Sequence, residues 1–218
     1  MGAVTFVHVA AGAVVLGIAP LAMIVRKGGR WHRRWGLGFL AAMVGVTATA
    51  SLMWQKRGHG FLMLLDVVTV YLLVLGYRVL ARRRRRAVDR RADIADACCA
   101  TGALGASVAL VWLALAATDP LLVQLRIVLG SLGTIGLTFA LLDLFGLTFG
   151  ARQRYGWLFS HLSAMLSAYI SAVTAFVVIN AHGVPMTLRW VVPVAIGGCG
   201  IAAFSAYYRL RFWRAARP

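Results

Sequence analysis

Residues 157 to 176 read WLFSHLSAMLSAYISAVTAF, twenty positions without a lysine, arginine, aspartate or glutamate. A helix rising about 1.5 Å per residue covers a hydrocarbon core of about 30 Å in roughly that length. The stretch therefore reads as a membrane span. It also carries His161, followed by Ser163, Ser167, Ser171 and Thr174 at steps of four, four and three. That spacing places the hydroxyls on one helical face, where small polar side chains let neighbouring spans approach and bond back to their own backbone. His161 is not required by packing.

The rest of the chain repeats the pattern. Of 218 residues, 61% are hydrophobic and only 13% charged, against about 45–50% and 25% for soluble domains. Apolar segments cover about 4–25, 36–54, 61–81, 94–117, 121–148, 157–181 and 190–210. The fifth is too long for one straight span and is expected to begin as an interfacial turn after Asp119-Pro120. The first segment lacks a basic leading region and is too long for a secretory signal, so it reads as a retained span.

Charge sets the expected orientation. Nineteen basic residues fall on one side: Arg26 to Arg34, Arg78 to Arg91, Arg152 and Arg154, and the tail from Arg209. Only Lys56, Arg57 and Arg189 fall on the other. The positive-inside rule then predicts the N-terminus outside and the C-terminus in the cytoplasm. The fold class expected is an all-α polytopic transmembrane helix bundle of seven spans, a single domain over 1–218, with a basic cytoplasmic linker at about 82–93. The net charge of +17 sits beside apolar spans, so anionic lipid rather than nucleic acid is its expected partner, with Arg82, Arg83, Arg84, Arg85 and Arg86 among the headgroups.

Ionisable residues inside spans mark candidate sites, because charge is costly in hydrocarbon. Toward the outer face come His8, His59, Asp66, Arg126 and His182; toward the inner face come His32, Asp143 and His161. Asp66 and Arg126 are expected to pair. Cys98, Cys99 and Cys199 are expected to be small buried helix residues. No HxxxH or HExxH spacing points to a metal. A low-spin haem would draw on His8, His59 and His182 at one depth or His32 and His161 at the other. Retinal chemistry needs a lysine within the bundle, whereas Lys27 and Lys56 lie in loops. There is no phosphate-binding GxxxxGK[ST] loop, no GxSxG elbow and no glutamate anywhere.

Three stretches carry a resemblance. They are His8, Gly12, Lys27, Gly28, His32 and Gly36; Phe61, Leu62, Tyr71, Gly76 and Arg78; and His161, Met165, Tyr169, Ile170, Thr174, Ala175, Phe176 and Asn180. The chain resembles a family of small bacterial integral membrane proteins of unknown function with H-x3-G, KG-x3-H-x3-G and H-x3-M-x3-YI-x3-TAF motifs. The resemblance covers spans 1–3 and 6, about half the chain, and implies a bacterial inner-membrane location. It directs attention to His8, Lys27, His32, Arg78, His161 and Asn180. Asp66 stands where members carry a small residue.

Two polar sites follow as expectations: His32, Asp143 and His161 on the cytoplasmic side, and His8, Asp66, Arg126 and Asn180 on the outer side. The functions they suit are transport of a small solute or ion through protonatable histidines, a redox protein holding haem or quinone between helices, or a structural or regulatory membrane subunit. No catalytic motif marks an enzyme.

Overall fold

The computed structural model describes residues 2–57, 60–84, 90–149 and 155–215. Its elements are all helices: α1 (Ala3–Ile24), α2 (Arg30–Arg57), α3 (Gly60–Arg84), α4 (Arg90–Ala116), α5 (Pro120–Gln124), α6 (Arg126–Phe149), α7 (Gly156–Asn180) and α8 (Met186–Ala215). All but α5 are long and apolar enough to cross a membrane, seven among the described residues. The chain is a multi-pass membrane protein.

The short α5 is where the long fifth segment breaks. Asp119 caps it, its carboxylate accepting from the backbone N–H of Leu121 at 2.9 Å and Leu122 at 3.3 Å. Pro120 at the first helical position costs no hydrogen bond there. Other helices outrun their hydrophobic segments. Helix α2 begins at Arg30 rather than near 36, because Gly28 makes the turn at φ 76° and the helix restarts at once. A hydropathy reading sees only the apolar part of such a helix. The basic linker expected at 82–93 is likewise partly helical, since α3 runs to Arg84 and α4 starts at Arg90.

The tightest seam joins α4 and α6. Ala100, Ala103, Ser107, Leu110 and Ala114 recur at steps of three and four and are all buried. Opposite them lie Leu129, Gly133, Gly136 and Ala140 at the same spacing. A Cβ on Gly133 would stand 2.9 Å from the Ser107 carbonyl oxygen, so only glycine admits the α4 backbone there. Between lipid-solvated helices such close contact is the driving force, since lipid tails are as apolar as the interface.

Helices α1 and α2 form a second pair, α3 and α7 a third, and α8 lies against α7 at the edge with no buried residue in its span. Cys98, Cys99 and Cys199 are exposed, not buried as their apolar surroundings suggested. In a bilayer the outside of the bundle is apolar too, so a small apolar side chain has no reason to turn inward. The ends of α1, α3, α6 and α8 and the starts of α2, α4 and α7 share one end of the bundle, here the basic end. The starts of α1, α3, α6 and α8 and the ends of α2, α4 and α7 share the opposite end.

Candidate functional site

At the basic end the side chains answer to backbone and to one another. Helix α1 finishes with carbonyls that lack helical donors. Lys27 donates its ammonium to the carbonyls of Met23 and Ala22, and His32 Nδ1–H donates to Ala22 at 2.9 Å. The KG-x3-H sequence is thus a cap: the cation and the imidazole terminate α1, and the glycine between them turns the chain. Burial holds the Lys27 ammonium below the ordinary lysine pKa.

His161 Nδ1–H donates across the bundle to the Gly76 carbonyl at 2.7 Å. Met165, one turn along α7, fills the space a Cβ on Gly76 would need, 2.9 Å from its Cε. Ala164 and Ala168 are fully buried. The H-x3-M pattern therefore builds the α3–α7 crossing. The His32 and His161 rings do meet, edge-on, with centroids 6.4 Å apart. Asp143 does not join them.

Asp143 belongs to a neighbouring ionic cluster. Arg82 is bound by Asp143 and by Asp96, the latter at 2.6 Å, and Asp96 also pairs with Arg78. Tyr71 donates to Asp143 Oδ2 at 3.3 Å. Two guanidinium and two carboxylate groups cancel in a region where unpaired charge is costly, and the cluster ties α3, α4 and α6 together. Arg82 is therefore turned into the bundle rather than toward headgroups, because two aspartates claim it. Arg83 lies over the Trp157 ring at 3.8 Å. The side chain of Arg84, and Arg85 and Arg86 altogether, lie outside the described residues. Asp96, 1% exposed, was missed in the sequence. Only its place near the start of a long apolar segment, opposite arginines spaced i, i+4 on α3, marks it.

The opposite half holds a cavity of about 550 Å³ between α1, α2, α3, α6, α7 and α8. Its walls are mostly aliphatic and aromatic, including Met43, Leu72, Phe139 and Ile170. Three polar groups of its wall, His8, Ser51 and Asp66, gather at one side, and Thr49 bonds to the first of them. His8 Nδ1 lies 2.9 Å from Thr49 Oγ1, whose hydroxyl donates to the Gly45 carbonyl at 2.6 Å. Thr49 is thereby the acceptor, His8 carries its proton on Nδ1, and Nε2 is the open nitrogen. Ser51 donates to Asp66 Oδ2 at 2.5 Å, and His8 is near enough to act on that carboxylate electrostatically. Asp66 has no lysine or arginine partner among the described residues.

The hydroxyls of α7 face the same cavity: Ser163, Ser167, Ser171 and Thr174 all line it. Ser171 and Thr174 donate back to Ser167 and Ile170, at 3.2 and 2.7 Å. Ser163 and Ser167 donate to nothing among the described residues. Trp190, also in the wall, has a buried indole N–H without an acceptor among them.

Two expected members of the outer site stand apart. Arg126 donates to the Ala117 carbonyl at 3.4 Å instead of pairing with Asp66, because the end of α4 offers it an orphan acceptor one short loop away. Asn180 donates to Phe176 of its own helix at 2.8 Å and is exposed. His182 is exposed and His59 lies outside the described residues. Ser51, Thr49 and Trp190 were not singled out in the sequence, since nothing in a lone serine, threonine or tryptophan on an apolar helix separates it from packing. No group of three or more His, Cys, Asp or Glu suited to a metal occurs among the described residues.

Compared with protein-family models, curated proteins and solved structures, the chain matches none.

Proposed function

We propose that the bundle is a proton-linked carrier for a small, largely apolar molecule bearing a protonated amine, with Asp66 as the group that alternates between proton and ligand. The observation that carries this reading is the Asp66 carboxylate, held by Ser51 at the wall of an apolar cavity, with His8 nearby and no lysine or arginine paired to it among the described residues. In so apolar a setting an isolated carboxylate is stable only when protonated or when a cation neutralises it. Proton and amine then compete for one position, and that competition is the coupling a carrier needs. His8, with Nε2 open, is the second proton acceptor. The Trp190 N–H, together with Ser163 and Ser167, offers hydrogen bonds to an oxygen elsewhere on the ligand. The ion-paired basic end closes the path on the far side of the cavity.

The membrane context completes the proposal. Nineteen basic residues against three favour the N-terminus outside and the C-terminus in the cytoplasm, and the resemblance of the histidine motifs favours a bacterial inner membrane. Reporter fusions at the two termini test the orientation.

The decisive experiment uses purified protein in liposomes with an imposed pH gradient and ethidium as the transported cation. Gradient-driven movement that is lost in Asp66→Asn and retained in Arg126→Gln supports the carrier. Equal movement in wild type and Asp66→Asn overturns it. One observation favours a second reading: the Trp190 N–H and the two free α7 hydroxyls suit the carbonyl oxygens of a quinone. Solvent extraction of the purified protein distinguishes the two, because a stoichiometric quinone establishes the redox alternative. A Soret band lost in His161→Ala would establish haem in its place.

A further inference from the structure

A second cavity, of about 690 Å³, lies at the basic end between the close of α1 and the final third of α8. Both helices flank α7. Three cations line it, Arg26, Lys27 and Arg211, and no acid does. Neither Arg26 nor Arg211 has an acidic partner among the described residues. Asp96 and Asp143, the buried acids of this end, are spent on Arg78 and Arg82. Lys27 contributes charge from a fixed position, since the carbonyls of Ala22 and Met23 hold its ammonium. Like charges gathered this way repel one another unless an anion lies between them.

The remaining walls are not those of a site for a free anion. Ile24, 81% exposed, Met23 and Phe204 form an apolar floor beside the cations. Tyr208, in contact with Phe204 and Phe212 along α8 with ring centroids 6.2 and 6.0 Å apart, sets an amphipathic ring at the join of polar and apolar surface, as tyrosine does at membrane interfaces. We infer that this crevice binds one anionic glycerophospholipid, its phosphate between Arg26, Lys27 and Arg211 and its acyl chains along Ile24 and Phe204. Basic pockets between spans suit such headgroups, and arginine suits phosphate by its paired donors. The lipid fills the gap between α1 and α8, the two helices with the least buried surface, and so holds the edge of the bundle. The arginine run after α3 is not needed for it.

Native mass spectrometry of the detergent-solubilised full chain, titrated with dioleoyl phosphatidylglycerol, dioleoyl phosphatidylcholine or inorganic phosphate, tests the inference. Wild type should retain one phosphatidylglycerol and discriminate against phosphatidylcholine. Arg26→Gln with Arg211→Gln should weaken phosphatidylglycerol binding by roughly twenty-fivefold, the product of about fivefold per arginine. Arg26→Lys with Arg211→Lys should keep most of it, which separates lost charge from lost fold. Arg30→Gln with Arg33→Gln, exposed at the same end outside the crevice, should change it less than about twofold. Equal losses in the two glutamine pairs would overturn the inference in favour of diffuse attraction. Equal binding of phosphatidylcholine, or inorganic phosphate displacing the lipid, would overturn it as well.

Discussion

Asp96 and Asp66 are both carboxylates drawn into apolar helices, and their neighbours differ in kind. Asp96 is nearly inaccessible and receives two guanidinium groups. Asp66 is half-buried, receives one serine hydroxyl and faces a cavity. A charge whose partners are all supplied by the protein serves the fold, and its neighbours leave it nothing further to bind. A charge left short of a partner beside open space costs stability, which a ligand or proton recovers on binding. The two ends of this bundle divide along that line.

The comparison breaks most sharply at Asp96. Asp96→Ala leaves Arg78 and Arg82 without one of their carboxylates in a buried setting, a change of the kind that costs about 3–5 kcal/mol. Denaturation of the purified protein in detergent should show that loss. A variant as stable as wild type would mean that the ionic cluster is solvated and that the basic end is not the closed one.

Asp66→Asn is the counterpart. The amide oxygen still accepts from Ser51, so stability should move by less than about 1 kcal/mol. Ligand-coupled flux should fall by more than about tenfold, because the amide neither takes a proton nor neutralises an amine. If Asp66→Asn destabilises as much as Asp96→Ala, Asp66 is a structural group and the distinction between the two ends collapses.

How much of this was legible beforehand depends on the scale of the signal. The seven spans and the break at Pro120 follow from hydropathy length and one capping pair, which are local properties. The common depth of His32 and His161 was legible, since both lie where spans enter from the same side, whereas their contact was not, because it depends on which spans are neighbours. Asp143 was placed at the right depth and with the wrong neighbours, because depth fixes one coordinate of a side chain and the rotation of its helix fixes the other. Rotation is set by small-residue contacts such as Gly133 against Ser107, which a single sequence does not pair. For the same reason Asp66 was matched to Arg126 rather than to Ser51. Partners across a bundle are chosen by which faces touch, and a backbone carbonyl next to Arg126 competes with any distant carboxylate. The cysteines failed differently: an apolar exterior removes the link between hydrophobic character and burial.

A smaller effect tests whether the paired histidines at the basic end belong with the fold. His161→Phe keeps the ring volume and loses one interhelical hydrogen bond to Gly76. The Gly76 carbonyl lies within α3 and keeps its helical donor, so the loss should be about 0.5–1.5 kcal/mol with flux unchanged. Loss of flux at unchanged stability would instead give the open Nε2 of His161 a role in proton movement.

The smallest effects come from the hydroxyl row of α7 and decide how far the cavity side of the comparison extends. Ser171 and Thr174 already donate to their own helix, so Ser171→Ala should leave stability and ligand affinity within a few tenths of a kcal/mol of wild type. Ser163 and Ser167 have no such donation among the described residues, although both line the cavity. Their hydroxyls are also not among the buried polar atoms lacking a partner, so they open onto the cavity space. Ser163→Ala and Ser167→Ala should each weaken a ligand that accepts a hydrogen bond by about two- to tenfold, the worth of one hydrogen bond of about 0.5–1.5 kcal/mol. The effect should vanish for ligands without an acceptor. Four similar side chains at helical spacing would then separate into two that pack and two that bind, by a difference no spacing records: which of them has already found an acceptor.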